Sequence, residues 1–296
     1  MSDFAIGIDL GGTNIKGVLM KDDGHIIESY QLKTCEDPNG EWKQNVIGVL
    51  DHLKSKSPVL IKRVGLSAPG LANSDNSKIA HLPDRLPGLE NFLWAEYLQT
   101  PTLIINDAHA ALMAEHQFGV LQDFQNALLI TLGTGVGGGI LINGQLHQGM
   151  SQMAGHLGHM GLSIHEDETS ILGMPGSLEY AIGNYSVHKR SHGRFKNTYE
   201  LVEAFERGEH WATLLWLESV RKLSLGMVSL INILSPEAIA LSGGITMAGN
   251  ALLKPLSEYL EIFEFKPKDK TTKVFLAKYG EMSGAIGAAA FAMKNI

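Results

Sequence analysis

The order of apolar and polar positions predicts the elements directly. Residues 4–9 are a short apolar run that breaks at Leu10-Gly11-Gly12-Thr13. Residues 14–20 alternate and turn again at Asp22-Asp23-Gly24, and residues 25–33 read as a third strand, so the chain opens as an antiparallel meander. Residues 42–53 carry Trp42, Val46, Val49, Leu50 and Leu53 at helical spacing. Residues 64–68 form a strand closed by Pro69-Gly70, and residues 102–105 form another that runs through Asn106-Asp107 into an alanine-rich helix over 108–117.

Near residue 119 the pattern starts again. Residues 127–132 are an apolar strand, 133–135 a turn and 136–142 a glycine-laden strand. Ile8-Asp9-Leu10-Gly11-Gly12-Thr13 and Ile130-Thr131-Leu132-Gly133-Thr134-Gly135 share one plan at a spacing too long for a solenoid and suited to a duplicated domain. The remainder is mostly helical (177–183, 198–207 and 211–234). A strand at 238–241 then ends in Ser242-Gly243-Gly244, and helices at 248–260 and 283–293 flank a last strand at 273–277. The expected class is α/β: two similar domains, 1–118 and 119–282, facing a central cleft.

Composition narrows the function. With 44% hydrophobic and 19% charged residues, the 296-residue chain can bury a full core. Its net charge of −7 gives no basic footprint for nucleic acid or an anionic membrane. Cys35 is the one cysteine, which excludes an intrachain disulfide, a cysteine-built zinc finger and an iron–sulfur cluster. Residues 223–234, the most apolar stretch, include Ser224, Gly226, Ser229 and Asn232 and fall short of the roughly 20 residues a membrane span needs. Met1-Ser2-Asp3-Phe4 has no basic region of a signal peptide, so a cytoplasmic location is expected.

Five segments carry candidate chemistry. In Asp9-Leu10-Gly11-Gly12-Thr13-Asn14, glycines let backbone N–H groups approach an anion, Thr13 and Asn14 add donors, and Asp9 could hold Mg²⁺ directly or through water. Because a strand follows, this is neither a Walker loop nor a dinucleotide fingerprint; an ordinary glycine hairpin is the plain alternative. Gly133-Thr134-Gly135-Val136-Gly137-Gly138-Gly139 is a second such hairpin, whose glycines imply close approach of a phosphate chain or of another backbone. Gly243-Gly244, beyond the end of a strand, could admit adenine or ribose, or simply turn the chain into a helix. Asp107 either caps the helix it begins or acts as general base toward a hydroxyl attacking phosphorus. His156, His159 and Glu179 suit hydrogen bonding to a polyhydroxyl ligand better than metal binding, since further ligands are missing nearby. Residues His165, Glu166, Asp167 and Glu168 read as a solvated loop.

These segments, with Ala68-Pro69-Gly70, Ser242-Gly243-Gly244 and Gly284-Ala285-Ile286-Gly287, resemble in order and over nearly the whole chain the ROK family of repressors, open-reading-frame proteins and sugar kinases. The resemblance implies the actin-like ATPase fold: duplicated ribonuclease-H-like domains with ATP and Mg²⁺ between them, a hexose in the cleft, and a last helix (283–296) packed back on the first domain. It places Gly11, Gly12, Thr13 and Asn14 with Gly133, Thr134, Gly135, Gly137 and Gly138 around the phosphates, and Gly243 and Gly244 near adenosine. Asp107 matches the catalytic base, while Asn106, His159, Glu179, His156 and Gly70 fall on the sugar side. Homodimers are usual among such proteins.

Two departures from the family pattern stand out. Where zinc-binding members carry cysteines this chain has Ser170, Leu172 and Ser177, so structural zinc is expected to be absent. His156 replaces a glutamate that contacts the sugar near its anomeric end, exchanging an acceptor for a group that can also donate, which leaves the hexose open. The resemblance implies an ATP-dependent hexokinase, glucose at its 6-hydroxyl first, with fructose, mannose or an N-acetylhexosamine as alternatives. A sugar-responsive regulator would need a DNA-binding segment ahead of the first hairpin, which begins within ten residues of Met1. A non-catalytic binder fits poorly with Asp107 and both hairpins intact.

Overall fold

The computed structural model describes residues 4–35, 40–82, 86–165, 167–267 and 270–295; the first three residues and Glu166 of the expected solvated loop lie outside them. In the first half, strands β1 (Phe4–Leu10), β2 (Asn14–Lys21), β3 (Ile26–Lys33) and β4 (Val64–Ala68) are followed by a small hairpin of β5 (Leu71–Ala72) and β6 (Ile79–His81), then β7 (Thr102–Asn106). Helices α1 (Trp42–Lys56), α2 (Trp94–Tyr97) and α3 (Asp107–Phe118) intervene or follow. The second half brings β8 (Ala127–Leu132), β9 (Val136–Ile142) and β10 (Gln145–Leu146), then α4 (Leu178–Ile182), α5 (Val187–Arg190), α6 (Thr198–Glu206) and α7 (His210–Leu234). It closes with β11 (Ala238–Ser242), α8 (Asn250–Phe263), β12 (Lys273–Leu276) and α9 (Ser283–Asn295).

Two five-stranded sheets result, ordered β3-β2-β1-β4-β7 and β10-β9-β8-β11-β12. Each is an antiparallel meander extended by two parallel strands, so the likeness of the two glycine segments in sequence is a likeness of place in two copies of one topology. β4 is buried at every residue and reads as an apolar run broken only by Ser67 because helices cover both faces of its sheet, whereas the edge strand β3 alternates between exposed and half-buried positions. On one face α1 sets Trp42, Val46, Val49, Leu50 and Leu53 against Ile6, Ile8 and Leu10 of β1. On the other, Ala285, Ile286 and Ala289 of α9 meet Ala5, Val18 and Met20.

Helices α3 and α9 occupy the space between the sheets. α3 packs Ala111 and Leu112 with Leu129, Leu141, Ala238 and Ala240 of the second sheet, and Ala110 and Met113 with Ala288 and Phe291 of α9. The packing reaches backbone contact. A Cβ added to Gly287 would lie 1.7 Å from the carbonyl oxygen of Ala110, and one added to Gly7 would lie 1.9 Å from that of Ala285. The alanine and glycine content of α9 is therefore a steric requirement of its position.

The elements too short to show a period were not anticipated: β5, β6, β10, α2 and α5. The helix expected from residue 248 begins instead as a 3₁₀ turn, Gly244–Ala248, before α8. Among the described residues no helix is long and apolar enough to cross a membrane. Gly287→Ala forces α3 and α9 apart and should lower stability by about 1–3 kcal/mol. Urea denaturation measures this, and an unchanged midpoint would show that the two helices separate freely.

Candidate active site

The first hairpin hangs between β1 and β2. It is closed by the Gly11 N–H donating to the Asn14 carbonyl at 3.1 Å and braced by buried Thr34, whose backbone N–H donates to Thr13 O and whose hydroxyl donates to Gly11 O at 2.6 Å. Gly12 and Thr13 are left exposed at its tip. Asp9 ends β1, and the parallel register with β4 sets Ser67 beside it, so that the Ser67 hydroxyl donates to Asp9 Oδ1 at 2.7 Å. The first turn of α9 abuts the same carboxylate: a Cβ on Gly284 would fall 2.4 Å from it. The helix N-terminus thus contributes partial positive charge.

A slice of Asp9 remains open to solvent, yet its carboxyl group lies deep. Burial pushes its pKa up to about 6, opposed by the Ser67 hydrogen bond, reinforced by the charge of Asp107 and opposed by that of Lys16. Lys16, opposite Asp9 on β2, is tied at 2.8 Å to Glu281 just ahead of α9. Ser67, Thr34 and Lys16 escaped the sequence reading. Only Ser67 left a signal, as a polar residue inside a strand otherwise wholly apolar.

The cap expected of Asp107 falls instead to the residue before it, because Asn106 has the extended backbone that lets its side chain reach back over the first turn. Asn106 is the N-cap of α3: buried, it accepts from the N–H groups of Ala108 and His109 while its Nδ2 donates to the Gly70 carbonyl at 3.0 Å. Gly70, at φ +95°, ends the turn after β4. Capping being done by its neighbour, Asp107 is exposed at the helix start, with Oδ1 accepting from the Ala108 N–H at 2.8 Å.

Across the cleft, Glu179 of α4 is buried with both oxygens engaged: Oε2 accepts from Val136 N–H at 2.9 Å and Oε1 from Ile171 N–H at 2.8 Å. The residue expected on the sugar side therefore also holds the second hairpin in place. His156 and His159 stand in near-parallel planes, 6.1 Å between ring centres. Burial chiefly lowers the pKa of His156, with the charge of His159 in the same sense and those of Asp107 and Glu179 opposed, so these four groups share one electrostatic neighbourhood. His109, next to the Asn106-Asp107 pair, fastens this side to α3 through a 2.7 Å hydrogen bond between its Nε2 and the Ala154 carbonyl.

The three positions where zinc-binding relatives have cysteines serve other ends. Ser170 is buried against His159 Nδ1 at 3.1 Å, Leu172 is exposed, and Ser177 caps α4 by accepting from Tyr180 N–H. No group of three or more metal-ligating side chains occurs among the described residues. In the neighbouring loop His165 and Asp167 are exposed and Glu168 pairs with Lys189.

A cavity of about 800 Å³ opens beside the second hairpin, lined by Gly133, Thr134 and Gly244 and by Asn184, Thr198, Tyr199 and Glu203 near α6. A Cβ on Gly133 or Gly244 would meet nothing within 4 Å, so both present bare backbone to this space. The hairpin's other glycines answer to internal packing: Gly135 adjoins Glu179, Gly137 the Thr131 hydroxyl, and Gly138 the Leu129 carbonyl and Leu157. Gly243, at φ +93°, lies under the Leu132 carbonyl. The Thr198 hydroxyl is buried with no hydrogen-bond partner among the described residues. The sequence reading missed the α6 contribution entirely, since nothing in an ordinary amphipathic helix advertises it.

Duplicated sheets with glycine hairpins facing a cleft, a buried acid on the first strand and a second acid at a helix start define the actin-like ATPase and sugar kinase fold class. Within that class the chain belongs to the ROK family, whose profile matches residues 5–295. It is 30% identical to a glucokinase of Halalkalibacterium halodurans, over 97% of this chain and 94% of the relative. It is 32% identical to an N-acetylmannosamine kinase of Vibrio cholerae over 82% and 84%. A ROK hexokinase structure from Thermus thermophilus superposes with a TM-score of 0.85 at 25% identity, covering 99% and 98% of the two chains.

The raised pKa of Asp9 has a measurable sign. Its protonated form stabilises the ligand-free fold fully below the ordinary value of 3.8, and that contribution is lost as pH rises through about 6. The charged form then costs on the order of 2–3 kcal/mol at neutral pH. Asp9→Asn should accordingly melt several degrees above the wild type at pH 7.5 and close to it at pH 4, as read by differential scanning calorimetry without ligand. A variant that melts lower at pH 7.5 would contradict the buried-charge account.

Proposed function

We propose that the protein is an ATP-dependent hexose kinase, glucose at its 6-hydroxyl being the first substrate to test. The observation that carries this reading is Asp107: a carboxylate at the start of α3, where Asn106 and not Asp107 is the N-cap, directly after a strand of the sheet that carries the buried Asp9 and within electrostatic reach of both it and His156. Asp107 accepts the proton of the sugar hydroxyl as that oxygen forms its bond to the γ-phosphorus, and the bond from phosphorus to the bridging oxygen breaks toward the nucleoside diphosphate. His156, His159, Asn106 and Glu179 orient the sugar. With the Gly11 and Gly133 N–H groups closing their own hairpins, the N–H groups of Gly12 and Thr13, together with Thr134 and Gly135, steady the phosphates.

The residues present fit both absent groups. A carboxylate held at a pKa of about 6 by burial is short of positive charge, and Asp9 would hold Mg²⁺, directly or through water, to neutralise phosphate charge during transfer. The unpartnered Thr198 hydroxyl and the bare backbone of Gly244 suit a nucleoside edge in the 800 Å³ cavity. Closure of the two halves over the substrates would exclude water, the competing acceptor. The relatives named glucokinase and N-acetylmannosamine kinase support the sugar class and leave two hexoses in contention, and His156 is where they can be told apart.

A coupled ADP-release assay across glucose, fructose, mannose, N-acetylglucosamine and N-acetylmannosamine should show one sugar stimulating turnover. Asp107→Asn should lower that kcat by about 10²–10⁴-fold with the KM for ATP little changed. Absence of stimulation by every sugar, or full activity in Asp107→Asn, overturns the reading. We further propose that no structural zinc is held, its place being taken by Ser170 and Ser177. Elemental analysis of the purified protein should find well under one zinc per chain, and a stoichiometric ion would mean that other ligands assemble.

A further inference from the structure

We propose that the turn over residues 170–174 is the positioning element of the sugar half-site, and that Ser170 fixes His159 with its proton on Nε2, so that the ring offers an N–H donor to the substrate; this rests on the kinase reading above. The turn is closed on Ser170 three times: Ser170 N–H donates to the Met174 carbonyl at 2.8 Å, Gly173 N–H to the Ser170 carbonyl at 3.0 Å, and Met174 N–H to Ser170 Oγ at 3.0 Å. Its next residue, Ile171, donates its N–H to Glu179 Oε1 at 2.8 Å. Two consecutive residues of one turn therefore hold the two side chains, His159 and Glu179, assigned to the sugar.

The proton count on Ser170 then settles the ring. A hydroxyl has one hydrogen to give and two lone pairs to accept with. Met174 N–H brings its own hydrogen and uses a lone pair. Ser170 is 4% exposed, and among the described residues its hydroxyl hydrogen has one acceptor within reach, His159 Nδ1 at 3.1 Å. The reverse arrangement, Nδ1–H donating to Oγ, would leave that hydrogen buried and unmade, which folded proteins avoid. Nδ1 is thus the acceptor and the neutral ring carries its hydrogen on Nε2. Nε2 makes no hydrogen bond to the described residues, and His159 is only half-buried beside His156. Glu179 accepts while His159 donates, so a sugar hydroxyl lying between them has a partner for its hydrogen and another for its oxygen.

Two readouts test this. In protein labelled with ¹⁵N-histidine, long-range ¹H–¹⁵N spectra, with His159→Ala to assign the ring, should show a lone-pair Nδ1 and a protonated Nε2. Ser170→Ala should abolish that preference and raise the KM for glucose about tenfold, the worth of one misdirected hydrogen bond, with the KM for ATP and the thermal midpoint little changed. Protonated Nδ1 in the wild type overturns the proposal, as does an unchanged glucose KM in folded Ser170→Ala. Should the alanine variant fail to fold, the wild-type spectrum decides alone. That spectrum needs no turnover, so failure of the kinase assay with every sugar would count against the activity and not against the role of Ser170.

Discussion

A carboxylate buried without a full counter-charge is the constraint around which this molecule is arranged. Asp9 stands at the end of a central strand, one oxygen accepting from Ser67, with the first turn of α9 pressed against it and Asp107 near enough to repel it. Neither the Ser67 hydrogen bond nor Lys16 restores an ordinary pKa. The ionised carboxylate is thus short of positive charge, and the ligand-free fold bears that cost. The close contacts of Gly7 and Gly287 with neighbouring backbone hold α9 in place beside it.

The rest of the cleft is built by borrowing. Asn106 takes over the capping that would otherwise occupy Asp107, and Glu179 anchors the second hairpin as well as facing the cleft. Ser170 sets His159, and His109 joins the loop before His156 to the helix that begins at Asp107. Each chemically exposed group leans on a buried neighbour, and those neighbours are short polar side chains in otherwise apolar surroundings. Glu179 ties the second hairpin to the turn after Ser170 through its two oxygens, so on the kinase reading a ligand held at Glu179 would also bear on the shape of that hairpin.

Much of this was legible in the chain. The buried strands β4, β8 and β9 have the bounds that their mostly apolar or glycine-rich runs suggest, and α1 shows its buried face as Trp42, Val46, Val49, Leu50 and Leu53. The duplication was visible because both copies keep a glycine turn at the same place. What was hidden is what periodicity cannot carry. Elements of two to four residues, such as β5, β10 and α2, complete no repeat. Which of Asn106 and Asp107 caps α3 depends on backbone angles that either residue could adopt. A run of glycines says that something comes close without saying what: at Gly138 it is Leu157, at Gly287 a carbonyl, and at Gly133 open space.

The last helix carries a consequence for how the protein comes into being. Strands β1 and β4 leave the ribosome long before α9, which with Ala114 and Phe118 of α3 covers their inner face, and the acid at the tip of β1 acquires its helix-end neighbour only when residues 283–295 arrive. A nascent chain held short of that point has the first glycine hairpin translated but one wall beside Asp9 missing. A chain stopped before residue 283 would keep the braces that Thr34, Asn106 and Glu179 supply and lose the helix that packs on Ala5, Val18 and Met20 and ends beside Asp9.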